Sequence, residues 1–168
     1  MPIRCFDLYA DLSSERIVMS NRGASGIDGT IATAVGVVMA EGKRVSVVIG
    51  DLAMLHDLNS LALAAQSSVP LTIVLFNNQG GGIFSHLPVR QQSTFEPLFL
   101  TPHSFGFQSA AEQFGLSYVA PATISDLRRA LDDAENELQS TLIELRLDWK
   151  RDVELHQSIQ RRIVAAQL

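Results

Sequence analysis

The sequence predicts an α/β fold in which a mostly parallel sheet is flanked by helices on both faces. Two apolar, β-branched runs, at residues 45–49 and 71–76, are typical of parallel strands buried on both sides. A helical pattern at residues 52–68 separates them and ends at Val69-Pro70. Because strands and helices alternate along the rest of the chain, these patterns favour a layered α/β domain.

The remaining elements are assigned from apolar spacing and from the residues that begin and end helices. Gly42 and Gly115 mark the ends of two helices, and Thr123 or Ser125 begins a third. In chain order, these elements are a short strand at residues 17–19, a helix at 29–40, a helix at 109–114, a strand at 116–119, an amphipathic helix at 123–138, a strand at 141–147 and a helix at 152–168.

Length and composition indicate one globular domain over residues 1–168, with 46% hydrophobic and 18% charged residues. The net charge of −5 disfavours nucleic acid and anionic membranes as partners. No apolar run approaches the ~20 residues that a membrane helix needs. Cys5 is the only cysteine, which excludes an internal disulfide and a cysteine-based zinc site. Since no signal peptide is visible, we expect a cytoplasmic protein.

Three glycine-rich turns follow the predicted strands, at the positions where open α/β sheets bind ligands. They are residues 20–29, Gly50-Asp51 and residues 77–82. Asp51 and Asn78 each come just past a strand, so neighbouring strands would bring both side chains to one edge of the sheet. Their oxygens suit a hard octahedral cation that also binds phosphate. The glycines after Asn78 would let backbone amides approach the phosphates closely.

Each of these turns alone has a simpler interpretation. Gly-Asp and Asn-Asn are common in turns and helix caps, and most single examples bind nothing. Their shared position at the ends of adjacent predicted strands favours a binding site. The segment at residues 83–107 shows little regular pattern. Because irregular loops of that length in compact domains commonly have a function, we expect a functional role for this segment.

The same residues resemble the metal–diphosphate motif of thiamine-diphosphate enzymes, in which Gly-Asp is followed one βαβ unit later by Asn-Asn. That motif usually has glycine after the aspartate, whereas Leu52 stands here. Leucine is common at this position in one branch, the 2-succinyl-5-enolpyruvyl-6-hydroxy-3-cyclohexene-1-carboxylate synthases of menaquinone biosynthesis. The chain is similar to that branch over essentially its whole length, most densely at residues 20–29, 50–59 and 77–88.

The resemblance implies the diphosphate-binding domain of the thiamine-diphosphate-binding fold. It implies that the side chains of Asp51 and Asn78 and the carbonyl of Gly80 bind Mg²⁺ or Mn²⁺, which bridges two cofactor phosphates. Ile27 matches the bulky apolar residue that holds the cofactor in its bent conformation; a place in the core is the alternative. The other residues expected to line the cofactor are Gly26, Leu52, Ala53, Gly82 and Ile83.

The substrates that the resemblance implies are 2-oxoglutarate and isochorismate, both dicarboxylates. Arg4 and Arg22 match arginines that bind substrate carboxylates in this family, a pairing that suits the planar guanidinium group. Ile83, Phe84 and Leu87 would form an apolar wall beside the reacting carbon. The implied transferase reaction decarboxylates 2-oxoglutarate and adds the remaining four-carbon unit to isochorismate, giving 2-succinyl-5-enolpyruvyl-6-hydroxy-3-cyclohexene-1-carboxylate.

No catalytic residue is expected within the chain itself. In the family, the activating glutamate belongs to a pyrimidine-binding domain, normally that of a partner subunit in a homodimer or homotetramer. The first residues resemble the stretch after the domain's first strand. We therefore expect that first helix and strand, and the pyrimidine-binding and central domains, to be absent, the isolated chain to be inactive, and a sheet edge or pairing surface to be exposed. We expect capping or packing for His56 and leave the role of His86 open.

Three alternative functions remain. Another thiamine-diphosphate carboligase or decarboxylase, such as an acetolactate synthase, is disfavoured by Leu52 and by residues 20–29. A non-catalytic nucleotide- or phosphate-binding α/β module would lack the paired Asp51 and Asn78. A degenerate remnant that only associates with other subunits is disfavoured by the intact set of ligands.

Overall fold

The computed structural model describes residues 2–11, 13, 17–21 and 26–166. The chain divides into two compact units: the first is Met1–Asn77 with Gly106–Leu145, and the second is Asn78–Phe105 with Arg146–Leu168. The strands are β1 (Val45–Gly50), β2 (Leu71–Asn77), β3 (Ser117–Val119) and β4 (Thr141–Arg146). The helices are α1 (Pro2–Tyr9), α2 (Thr30–Glu41), α3 (Asp51–His56), α4 (Leu61–Ala65), α5 (Gln108–Phe114), α6 (Ile124–Asn136) and α7 (Trp149–Ala165).

The first unit contains a four-stranded sheet of order β1–β2–β4–β3 within the described residues. β1 pairs in parallel with β2, from Val45 opposite Leu71 to Gly50 opposite Phe76. β3 pairs in parallel with β4. Because the elements between these strands are helical, the architecture is the predicted α/β class, with crossover connections between parallel strands.

Helices cover both faces of this sheet. Adjacent residues of β4 belong to different clusters: Leu142 joins the larger core with α2, α4 and α5, whereas Ile143 packs with Ala130 and Ala134 of α6. Side chains of a strand alternate between faces, so each cluster lies on its own side of the sheet. The sequence predicted that the runs at residues 45–49 and 71–76 are buried on both faces of the sheet. This prediction is correct for β2 and wrong for β1. Val48 of β1 is 43% exposed, because the described residues cover only the face of β1 that carries Val47 and Ile49.

Two sequence predictions in the first unit were wrong. Residues 17–19 form no strand, and Ile17 is 80% exposed, because a run of three apolar residues finds no partner strand among the described residues. The single helix predicted for residues 52–68 is three short pieces: α3, a 3-10 turn at Leu58–Ser60, and α4. The break falls at Asp57, which adopts a non-helical backbone with φ of −119°.

The second unit is built from short helical turns and α7. The segment expected to be a long irregular loop contains 3-10 turns at Gly82–His86 and Pro88–Gln91 and a π-helical turn at Glu96–Leu100. Aromatic contacts hold these turns together, with Phe84 against Phe99 and Phe95 against Trp149, each pair 5.8 Å apart between ring centroids. Periodicity missed the turns because each is too short to repeat an apolar pattern.

The predicted helix ends are confirmed. Gly42 and Gly115 have φ of 63° and 80°, a left-handed conformation that glycine adopts without steric cost. Thr123 caps α6 by accepting a 3.1 Å hydrogen bond from the amide of Asp126. The Thr123 hydroxyl in turn lowers the pKa of the Asp126 carboxyl by a hydrogen bond. None of the described helices is long and apolar enough to cross a membrane.

Candidate functional site

Asp51 begins α3 directly after β1, and its side chain is buried. Its Oδ1 accepts a 2.8 Å hydrogen bond from the amide of Leu52, which fixes the carboxylate at the first turn of the helix. In the β1–β2 register Gly50 lies opposite Phe76. The two residues that follow them, Asp51 and Asn77, therefore stand at the same edge of the sheet.

The two asparagines after β2 are in different environments. Asn77 is buried, and its amide group donates a 2.7 Å hydrogen bond to Oε1 of Glu144. Asn78 begins the second unit and is half-buried. The Asn-Asn pair therefore combines a structural residue that fixes the end of β2 with a following residue whose side chain is more accessible.

Glu144 is a fully buried carboxylate in β4 that the sequence analysis did not single out. Besides Asn77, its Oε2 accepts hydrogen bonds from the Tyr118 hydroxyl, 2.6 Å away, and from the Phe107 amide, 3.3 Å away. A buried carboxylate is stable only when its oxygens are hydrogen-bonded, and these three donors supply that. The sequence signal was a glutamate between Ile143 and Leu145 in an otherwise apolar strand.

Asp57 holds the helix that follows the first glycine-rich turn. Its Oδ2 accepts hydrogen bonds from the amides of Ile31 and Ala32, at 2.6 and 3.2 Å, and its Oδ1 accepts one from the Ser60 hydroxyl at 2.6 Å. The N-cap residue of α2 is Gly29, which has no side chain to perform this role. A carboxylate distant in sequence therefore caps α2.

Asp57→Ala should lower the free energy of unfolding by about 2 kcal/mol, because it removes a helix cap and a buried charged acceptor. Chemical denaturation followed by circular dichroism measures this. Asp57→Asn keeps one acceptor oxygen and should lose about half as much. Equal stability of Asp57→Ala and the parent protein would show that the contact to α2 contributes nothing.

The turn after Asn78 depends on its glycines for close packing. Gly80 has φ of 146°, and a Cβ there would overlap the carbonyl oxygen of Leu100. A Cβ on Gly82 would overlap the side-chain amide of Asn78. The amide of Gly81 donates to the Leu100 carbonyl at 2.6 Å, and that of Gly82 to the Gly80 carbonyl at 2.8 Å.

This packing corrects one expectation. The glycines after Asn78 were expected to present free amides to phosphates, but the amides of Gly81 and Gly82 are engaged within the turn. The glycines instead admit the chain's own backbone and the Asn78 side chain. The Gly80 carbonyl accepts the hydrogen bond from Gly82, and its role as a metal ligand stays a prediction.

The apolar residues predicted at the site divide by exposure. Ile27 and Phe84 are 39% and 37% exposed, and Leu87 is exposed as well, so none of them is a core residue. The alternative that Ile27 lies in the core is therefore excluded. Ala53, in contrast, is in the hydrophobic core, and its place beside the cofactor stays a prediction.

The remaining predicted residues are distributed as follows. Leu52 and Ile83 are half-buried, and Gly26 is exposed with open space around it. Arg4 is exposed on α1, whereas Arg22 lies outside the described residues. His56 neither caps nor packs: its side chain is 56% exposed, with Nδ1 at 3.3 Å from Oδ1 of Asp28.

Residues 5–145 match the family described as thiamine pyrophosphate enzyme, C-terminal TPP binding domain. Thiamine pyrophosphate is another name for thiamine diphosphate. The matched range includes Asp51, Asn78 and the glycines of the following turn. The cofactor inferred from the sequence is thus the one that this family binds.

Curated relatives confirm the resemblance to one group of synthases. The chain is 46% identical to the 2-succinyl-5-enolpyruvyl-6-hydroxy-3-cyclohexene-1-carboxylate synthase of Chlorobium phaeovibrioides, over 97% of this chain and 28% of the relative. It is 47% identical to the synthase of the same name from Rubrobacter xylanophilus, over 96% of this chain and 28% of the relative. The chain therefore spans less than a third of the length of these relatives.

Solved structures give the same fold. A thiamine diphosphate-dependent 4-hydroxybenzoylformate decarboxylase from Rhodococcus jostii matches with a TM-score of 0.64 and 29% identity, over 73% of this chain and 23% of that chain. Benzoylformate decarboxylase from Polynucleobacter necessarius matches with a TM-score of 0.67 and 17% identity, over 75% and 24%; this second likeness concerns the fold alone. The chain belongs to the thiamine pyrophosphate enzyme family, as a C-terminal TPP-binding domain.

Proposed function

We propose that Asp51 and Asn78 bind Mg²⁺ or Mn²⁺ through side-chain oxygens, with the carbonyl of Gly80 as a third ligand. A carboxylate, a carboxamide and a carbonyl form an all-oxygen set, which these hard cations prefer. The buried Asp51 carboxylate at the end of β1 is the observation that carries this proposal. Held by these residues, the cation would offset the charge of the thiamine-diphosphate phosphates.

The residues proposed to surround the cofactor come from three turns. They are Gly26, Ile27, Leu52, Gly82 and Ile83, while Ala53 would contribute its backbone, since its side chain is buried. Ile27 is suited to support the bent cofactor because it is a branched apolar side chain that is not committed to the core. Such a support would hold the cofactor's reacting groups in fixed orientation.

We propose further that the chain is part of a synthase that decarboxylates 2-oxoglutarate and transfers its four-carbon unit to isochorismate in menaquinone biosynthesis. When bound, thiamine diphosphate supplies the decarboxylation and carbon–carbon bond-forming chemistry. Arg4 and Arg22 would bind the substrate carboxylates by charge-assisted hydrogen bonds. Phe84 and Leu87, both exposed apolar residues, would exclude water beside the reacting carbon together with Ile83.

The rest of the active site is proposed to come from elsewhere in the enzyme. Residues 1–168 would serve as one diphosphate-binding domain, and a pyrimidine-binding domain of a partner subunit would supply the activating glutamate. We propose a homodimer or homotetramer in the cytoplasm as the assembly. The proposal that further domains complete the active site is supported by the high identity of this chain to synthases more than three times its length.

A chimera tests the substrate assignment. Residues 1–168 replace the aligned segment of the Rubrobacter xylanophilus synthase, and turnover is measured with 2-oxoglutarate plus isochorismate. We expect product formation that requires both thiamine diphosphate and Mg²⁺. The matched control carries Asp51→Ala and should be inactive. A folded chimera that turns over pyruvate or benzoylformate but not 2-oxoglutarate would contradict the assignment.

Ile27→Ala in the same chimera should separate cofactor binding from turnover. We expect kcat to fall about 100-fold, the cost of misplacing reacting groups by roughly 1 Å, while thiamine-diphosphate affinity changes much less. Ile124→Ala, at an exposed isoleucine of α6, is the control and should leave kcat unchanged. Unaltered kcat in Ile27→Ala would remove the proposed support role.

A further inference from the structure

The second unit contains a cluster of two imidazoles and one carboxylate that the proposed function does not use: His86, Asp152 and His156. One ligand atom from each lies within 4.8 Å of the others. His86 Nε2 is 3.5 Å from Asp152 Oδ2, and His156 Nδ1 is 3.3 Å from Asp152 Oδ1. The two imidazole rings meet edge to face with centroids 4.9 Å apart.

The backbone explains why these groups converge. Asp152 and His156 are four residues apart on α7, so they share one face of that helix. His86 ends the 3-10 turn Gly82–His86, which contacts α7. The Asp152 carbonyl also lies near this ring, 2.9 Å from His156 Nδ1. The cluster is partly open to solvent. The side chain of His156 is 9% exposed, and those of His86 and Asp152 are 25% and 29% exposed.

We propose that His86, Asp152 and His156 bind a zinc ion. Two imidazoles and a carboxylate are ligands that Zn²⁺ prefers, and three protein ligands on a partly open site leave the fourth position for water. This site is separate from the one proposed for the diphosphate-bound cation. Asp51, Asn78 and Gly80 offer only oxygen ligands, whereas this cluster offers two nitrogens and a carboxylate.

Such an ion would connect the turn Gly82–His86 to α7. That turn also carries Ile83 and Phe84, the residues proposed beside the cofactor and substrate. A zinc ion that fixed His86 would therefore order the segment that positions them. The site itself does not depend on thiamine diphosphate, so it can be tested without the cofactor.

Zinc titration of the purified protein, free of histidine tags and saturated with Mg²⁺, tests the proposal. We expect one equivalent of Zn²⁺ per chain by calorimetry, a rise in Tm on binding, and zinc–nitrogen distances of about 2.0–2.1 Å by X-ray absorption. His86→Ala should weaken Zn²⁺ binding at least about tenfold. Because the His86 side chain is partly exposed, this variant should fold.

His56→Ala is the matched control, because His56 also faces a carboxylate, Asp28, at 3.3 Å but belongs to no three-residue cluster among the described residues. It should leave Zn²⁺ affinity unchanged. His156→Gln provides a second test and should weaken binding as His86→Ala does. Unchanged affinity in both cluster variants, no Zn²⁺ binding by the parent protein, or an oxygen-only zinc environment would each overturn the proposal without affecting the thiamine-diphosphate assignment.

Discussion

Replacing Asp51 with alanine should lower the affinity for thiamine diphosphate at least about 100-fold at a fixed Mg²⁺ concentration. Removing a residue that only hydrogen-bonds to a metal ligand costs roughly 10–100-fold in metal affinity. Asp51 is proposed to contact the metal directly, so its loss should cost at least as much. It is also the one charged group in the proposed ligand set, so its removal leaves the cation without an anionic protein ligand. Equilibrium binding of the cofactor at fixed Mg²⁺ measures the effect.

Two variants make this result interpretable. Asp133→Ala removes an exposed carboxylate of α6 and should bind the cofactor as the parent protein does. Asn78→Ala removes the second proposed side-chain ligand and should weaken binding in a Mg²⁺-dependent way. If Asp51→Ala folds and binds thiamine diphosphate with parental affinity, Asp51 is not a metal ligand.

Glu144→Leu should destabilise the first unit by at least about 3 kcal/mol. It deprives three donors of their acceptor, the side chains of Asn77 and Tyr118 and the amide of Phe107, and each unmade buried hydrogen bond costs about 1–3 kcal/mol. Removing a buried carboxylate relieves its own desolvation, but the loss of three buried hydrogen bonds outweighs that gain. Denaturant unfolding monitored by circular dichroism should show a lower midpoint.

Glu144→Gln is the matched control. Its carbonyl oxygen can accept from Tyr118 and Phe107, and its amide can donate to Asn77 once the Asn77 amide turns over, so the network survives. We expect a loss of about 1 kcal/mol. A Gln variant as unstable as the Leu variant would show that the negative charge, rather than the acceptor geometry, is what the fold requires.

The sequence predicted the structure best where the residue type alone favours a backbone conformation or burial in a strand. Buried runs predicted β2 and β4, and the glycines at 42 and 115 predicted helix ends, because those effects are local. The exposed edge strand β1 and the irregular residues 17–19 depend on which neighbours are present, which no local pattern encodes.

The candidate site shows the same division. The position of Asp51 at the end of β1 followed from strand topology. The roles of Glu144 and Asp57 could not be predicted from strand topology. These carboxylates hydrogen-bond to residues distant in sequence, Asn77 and Ile31. The use of the amides of Gly81 and Gly82 within their own turn also required three-dimensional packing to detect.

The most direct test of the account is a calorimetric titration of thiamine diphosphate into the parent protein, once with Mg²⁺ and once with the cation removed by a chelator. We expect one cofactor per chain with Mg²⁺ and binding weakened at least about 100-fold without it, because the all-oxygen ligand set needs the cation to hold the diphosphate. Equal binding in both conditions would contradict the assignment of Asp51 and Asn78 as a metal–diphosphate site.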